Sequence, residues 1–214
     1  MVVYFISGLG ADERVFERLK LSDSIIVKHI KWIEPIANEP LSDYCQRLTR
    51  EIDTTTEFSL IGMSFGGLAA IELNKIVTPL KTIIISSVTS EKEYSFLFRL
   101  LRTLRLHKII PMFLLRIPNP FAYWLFGTKS QEEKTILKTY MKTVSSTYFR
   151  WSMNAVLTWK NNIRPNNLSQ IHGTADKIFP FRLTHPDFAV KDGQHLMVYD
   201  RANEISSIIN NLLK

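Results

Sequence analysis

The 214-residue sequence predicts an α/β fold, a mostly parallel sheet with helices on both faces, on three observations. Short β-branched apolar runs recur along the chain, and helix-like stretches separate them. The alternation then stops for one long segment without any strand-like run and resumes after it. Strands covered on both faces read as continuous apolar runs, because neither face meets water.

Val2–Ile6 is the first such run. It ends in Ser7–Gly8–Leu9–Gly10, after which Asp12 caps a short helix reaching about Lys20. A second strand is expected over 24–30 and a helix over 42–53, capped by Ser42. Residues 58–62 form a third strand, 64–75 turn helical, and 81–86, with Ile83, Ile84 and Ile85, form a fourth. From about 91 to 159 the sequence is leucine-rich, aromatic and helical, with prolines at 111, 118 and 120. Strands return at Leu168–Gly173 and 187–190, and 202–213 is an amphipathic helix. Residues 1–90 and 160–214 are therefore expected to form one core, and 91–159 a helical insertion suited to be a lid.

Hydrophobic residues make up 45% and charged residues 22%, which excludes a wholly disordered chain. The single cysteine, Cys45, excludes an internal disulfide and reads as a small buried hydrophobe. No basic leader with a cleavage site opens the sequence and no apolar run is long enough to span a bilayer, so a cytoplasmic location is expected. The formal charge is +7. Residues 91–150 hold eleven Lys/Arg against four Asp/Glu, and the remainder holds sixteen of each, so the whole excess lies in the insertion.

Gly62–Met63–Ser64–Phe65–Gly66 fits G-x-S-x-G, with Gly67 following. A serine held at the tip of a sharp strand-to-helix turn needs flanking glycines, since side chains there would collide. The helix N-terminus beneath it favours developing negative charge. A serine nucleophile also needs a base, and the base an orienting carboxylate. Asp176 follows the strand at 168–173, and His195 lies in a turn after the last strand. The chain order Ser64, Asp176, His195 puts all three at carboxyl ends of strands, where open α/β sheets bind ligands. Of the rival histidines, His172 reads as a packing and loop-fixing residue and His185 as a turn residue; His29 and His107 lack site-like neighbours. Asp53 and Asp200 are rival acids that helix-end or exposed roles explain. No spacing suits zinc, so no metal site is expected.

The segments S-G-L-G, G-M-S-F-G-G, H-G-T-A-D and G-Q-H-L-M together resemble the α/β-hydrolase superfamily, its small cytoplasmic esterases in particular. The resemblance implies two backbone N–H donors for an oxyanion, on Phe65 and Leu9. The chain departs from the family in carrying Ser7 where His usually precedes the loop glycine, and in lacking the usual N-terminal hairpin. The implied activity is hydrolysis of a carboxylic ester or thioester with an apolar acyl group through an acyl-enzyme, without a cofactor. Lyase or carbon–carbon bond hydrolase chemistry, and a binding protein on the same fold, are the alternatives.

Within the insertion, Leu97, Leu101 and Leu104 are spaced as one helical stripe over 96–109, with Leu100 beside it. Arg99, Arg102 and Arg105 step around the other side, which Phe98 and Leu106 interrupt. This predicts a lid helix packed over the sheet with a solvated basic face. That face suits an acidic acyl carrier protein or an anionic membrane surface; no nucleic acid is expected, for want of a reading motif. Tyr123, Trp124, Phe126 and Trp151 are expected to line an acyl pocket.

Overall fold

The computed structural model describes residues 1–104, 117 and 119–214. Its sheet has six strands: β1 (Val2–Ile6), β2 (Ile26–His29), β3 (Phe58–Met63), β4 (Thr82–Ile85), β5 (Leu168–Gly173) and β6 (Phe188–Val190). Their order is β2-β1-β3-β4-β5-β6, and every neighbouring pair is parallel. The expectation of a mostly parallel sheet is met by one that is parallel throughout. Strand order reverses at β1, since β2 lies on one side of it and β3 on the other. Such a switch point leaves a crevice outside the strands' carboxyl ends.

Side-chain alternation assigns each face its own core. Val3, Phe5, Ile61, Met63, Ile83, Ile85 and Ile171 share one cluster with Ile205 and Ile209 of the C-terminal helix. Tyr4, Ile6, Leu60 and Ile84 share the other with helices over 41–48 and 65–74. β2 is an edge strand whose four residues are all exposed, and it is shorter than the 24–30 expected.

The described residues contain eight α-helices: α1 (Leu41–Leu48), α2 (Phe65–Asn74), α3 (Phe96–Thr103), α4 (Pro120–Phe126), α5 (Gln131–Thr143), α6 (Ser146–Thr158), α7 (Met197–Asp200) and α8 (Ala202–Leu212). Two of the predicted helices differ clearly from expectation. α1 starts behind Pro40, whose fixed φ suits a helix start, and the Ser42 hydroxyl donates to Asp43 instead of capping. The chain then tightens into a 3-10 turn, Thr49–Glu51. After β1, Asp12 caps as expected, accepting from the Arg14 N–H, but the helix it caps is a single 3-10 turn, Glu13–Phe16.

α3 corrects the predicted stripe. Leu97, Leu100 and Leu104 are exposed, and Leu101 is only half-buried. Phe98 is the residue that packs inward, its ring 5.4 Å from that of Tyr94 and 5.5 Å from that of Phe179. The inward direction is set by where those two aromatics stand, which periodicity does not encode. Arg99 folds back, donating to the carbonyls of Tyr94 and Lys92. Arg105, Leu106 and His107 lie outside the described residues. Among the described residues, no helix is long and apolar enough to cross a membrane.

Candidate active site

β3 enters the site as an apolar strand and leaves it through a turn that only glycines fit. Ser64 has φ 53° and ψ −119°, left-handed backbone that a non-glycine residue rarely adopts. A Cβ on Gly62 would overlap the Gly66 carbonyl, and one on Gly66 would overlap the Ile6 and Ser7 carbonyls. The strained turn is tied down by three bonds. The Ser64 N–H donates to Ile85 O at 2.9 Å, Gly67 N–H donates to Ser64 O at 2.9 Å, and the Ser87 hydroxyl donates to Ser64 O at 2.7 Å. Ser87 is a support that no motif in the sequence marks.

The loops after β5 and β6 bring the other two residues to Ser64. His195 Nδ1 lies 2.9 Å from Asp176 Oδ2, and His195 Nε2 lies 2.9 Å from Ser64 Oγ. The second carboxylate oxygen, Asp176 Oδ1, accepts from the Ile178 and Phe179 N–H groups at 2.8 and 3.0 Å. Burial pushes the Asp176 carboxyl up, but the charge and hydrogen bond of His195, aided by His172 and the Phe179 N–H, outweigh it. The net direction is below the usual value, so the group is an ionised acceptor at neutral pH. Nδ1 of His195 must then donate, and in the neutral imidazole this leaves Nε2 free to accept from the Ser64 hydroxyl. A serine, an unprotonated imidazole nitrogen and a buried carboxylate in one hydrogen-bonded line can move a proton off the serine as it attacks.

Of the rival groups, His29, His185, Asp53 and Asp200 are placed elsewhere, and His107 lies outside the described residues. His29 packs near the rings of Phe5 and Phe16, and the carbonyl of His185 accepts from Arg164. Asp53 accepts from Thr55 and Asp200 lies beside Arg201. Cys45 is buried among the core residues of α1 and α2, and burial raises its thiol well above the usual range.

His172 is fully buried, with Nε2 2.7 Å from the Phe179 carbonyl. A carbonyl only accepts, so Nε2 carries the proton, and the loop that presents Asp176 is pinned at its far end. Burial pushes the His172 pKa below its ordinary value, against the pull of Asp176. The unfolded chain therefore takes up a proton at a higher pH than the folded one, so stability is complete above about pH 6.5 and falls as pH drops toward the lower folded value. Melting curves from pH 7.5 to 5 should show this loss, and His172→Gln, which keeps an N–H for Phe179, should reduce it to the share of His29, whose pKa burial also lowers. An equally steep loss in the variant would assign the effect to other groups.

Gly8 shows how close the β1 loop comes: a Cβ there would sit 3.4 Å from Ser64 Cβ and 4.0 Å from Ser64 Oγ. Leu9 and Phe65 flank the serine at the floor of a cavity of about 380 Å³. α4, α5 and α6 roof it with Leu125, Phe126, Leu137, Met141, Phe149, Met153 and Val156. Phe98, Ile178 and Phe179 complete one side. No charged side chain is among its described lining residues.

Of the four residues expected in the pocket, only Phe126 lines it, edge-on to His195 at 5.6 Å. Trp151 points into the core instead, 4.2 Å from the Tyr44 ring, with its indole N–H on Glu39 O at 2.7 Å. Trp124 is 57% exposed, stacked on Phe121 with the Lys177 ammonium over its face. Tyr123 lies under Lys134, in a groove outside the cavity. Residues 149, 153, 156 and 157 do line the cavity, and their i, i+4, i+7, i+8 spacing was the readable signal.

Solved structures share this architecture. An esterase from Exiguobacterium antarcticum superposes with a TM-score of 0.75 at 15% identity, covering 100% of this chain and 92% of its own. This is the α/β-hydrolase fold. A thermophilic esterase from Thermogutta terrifontis matches with a TM-score of 0.72 at 14% identity, covering 100% and 89%. The thioesterase of the prodiginine biosynthetic pathway of Streptomyces coelicolor matches at 0.67 and 13%, covering 99% and 90%. No family model and no curated protein matches the chain by sequence. On the α/β-hydrolase fold the crevice at the switch point is where Ser64 stands here, between the ends of β1 and β3.

Proposed function

We propose that the chain is a serine hydrolase acting on carboxylic esters or thioesters with an apolar acyl group. The observation that carries this reading is the pair of 2.9 Å contacts joining Ser64 Oγ, His195 and Asp176. Ser64 attacks the carbonyl carbon while His195 Nε2 takes its proton. The backbone N–H groups of Phe65 and Leu9 receive the oxyanion, and the imidazolium then protonates the leaving alcohol or thiol. Water, activated by the same imidazole, releases the acyl group from Ser64 as a carboxylic acid. Esterases and thioesterases among the solved structures of this fold support the reaction class. In this reading the segment 91–159 is a lid, because α4, α5 and α6 supply the cavity roof.

The cavity supports the choice of acyl group. With no charged side chain among the described lining residues, a charged acyl chain would lose hydration and find no partner among them.

The test has two parts. A fluorophosphonate probe should label the wild-type protein and leave Ser64→Ala unlabelled. Across p-nitrophenyl esters, kcat/KM should rise about 4-fold per added methylene, the equivalent of ~0.8 kcal/mol each, and then fall once the cavity is full. Labelling without a rise along the series would keep the nucleophile and overturn the apolar acyl group. Absence of both would overturn the hydrolase.

A further inference from the structure

Two oxyanion donors from different elements must keep a fixed spacing, because a displacement of about 1 Å can cost on the order of 10²-fold in rate. Phe65 N–H belongs to the first residue of α2. Leu9 N–H belongs to a loop flanked by Gly8 and Gly10, and Gly10 itself has φ 74°. That loop gains little rigidity from its own sequence.

One side chain joins the two. The Trp32 indole N–H donates to Ser7 Oγ at 3.0 Å, and the Ser7 hydroxyl donates to Ala11 O at 2.7 Å, closing the loop around Leu9. The Ala11 N–H donates to Gly8 O at 3.0 Å and completes the turn. Trp32 also stacks on Phe65, ring centroids 5.1 Å apart and planes at 25°. It is held in turn by Tyr44 and Tyr148, at 6.1 and 5.8 Å. Tyr44 further fixes the next residue, its hydroxyl bonded to both the N–H and the carbonyl of Ile33. Trp32 is not among the residues lining the cavity over Ser64, so it does not meet substrate there.

We infer that Trp32, acting through Ser7, is a positioning residue that sets the distance between the Leu9 and Phe65 N–H groups. The inference rests on the hydrolase reading and on those two groups as its oxyanion donors. Ser7 uses its one proton on Ala11 and a lone pair on Trp32, so either loss frees the Leu9 loop. It stands where the resembling family usually has histidine; here the pinning is shared between a short hydroxyl and an indole from another loop.

Three variants test it. Trp32→Phe keeps the ring on Phe65 and removes the N–H; Ser7→Ala removes both bonds of the hydroxyl; Ser7→Thr keeps the hydroxyl. The first two should lower kcat roughly 10- to 100-fold with KM within about 2-fold, and Ser7→Thr should retain most of kcat. Affinity for an alkyl boronic acid, which forms a tetrahedral adduct on the serine, should fall by the same factor, while affinity for the product carboxylic acid stays unchanged. A packing role alone would leave the ratio of boronate to carboxylate affinity at its wild-type value. Trp32→Phe and Ser7→Ala with wild-type kcat and boronate affinity would overturn the inference. Should Ser64→Ala also turn over at the wild-type rate, the hydrolase reading falls first. Strict dependence on Ser64 with no effect of Trp32 or Ser7 removes only the positioning role.

Discussion

Ester turnover by Ser64→Ala should fall by at least about 10⁴-fold, with the protein folded as before. The size follows from the way a nucleophile, its base and the base's carboxylate act as one unit, so that losing the nucleophile costs nearly as much as losing all three. On the proposed mechanism, what remains is water attacking a carbonyl that the Leu9 and Phe65 N–H groups still polarise, a residue of activity set by positioning alone. Structure should be spared. Serine and alanine pay the same backbone strain at φ 53°, and the turn is held by bonds to the backbone of residue 64, not to its side chain. The hydroxyl's one hydrogen-bond partner given by the structure is His195 Nε2. Circular dichroism melts within a few degrees of wild type, together with kcat/KM on a butyrate ester, make the measurement. Loss of activity with loss of fold would say nothing about chemistry. Turnover kept in a folded variant would remove Ser64 as nucleophile.

The elbow and its two partners were legible in the sequence because each is a local motif tied to a strand end. Gly62 is dictated by Gly66 four residues on and Gly66 by the carbonyls at the end of the neighbouring β1, but their spacing about Ser64 is local, and Asp176 and His195 sit where β5 and β6 must turn. Once the strands pair in parallel, their carboxyl ends share one edge, and residues more than a hundred positions apart converge. The cavity lining was less legible, for the opposite reason. Trp151 and Phe149 lie on the same helix two residues apart, and only the position of Tyr44 decides that the tryptophan faces the core. Leu97 and Leu104 satisfy a helical stripe, yet Phe98 goes inward because Tyr94 and Phe179 offer it a surface. Trp32 had no signal at all. It is one aromatic residue in an irregular stretch, and its partners Ser7 and Phe65 come from other strands' loops.

Asp176→Asn should cost about as much as losing the serine, roughly 10⁴-fold in kcat, although it exchanges one atom for its near isostere. The Ile178 and Phe179 N–H groups both point at Oδ1, and two donors require an acceptor there. The carboxamide oxygen of asparagine must take that place, which turns its NH₂ toward His195 Nδ1. An N–H facing Nδ1 demands a lone pair on it, so the imidazole proton moves to Nε2. Nε2 then donates toward Ser64 Oγ and cannot accept the serine proton. The neighbouring His172 Nε2, 3.6 Å from the carboxylate in the wild type, is already committed to the Phe179 carbonyl and does not reverse this choice. Fold and substrate binding should persist, since every backbone bond of the loop survives. Proton NMR decides the matter independently of rate: the downfield Nδ1–H resonance expected for a histidine donating to a carboxylate should vanish in Asp176→Asn. A variant that keeps that resonance, or keeps wild-type kcat, would show that Asp176 does not set the tautomer of His195.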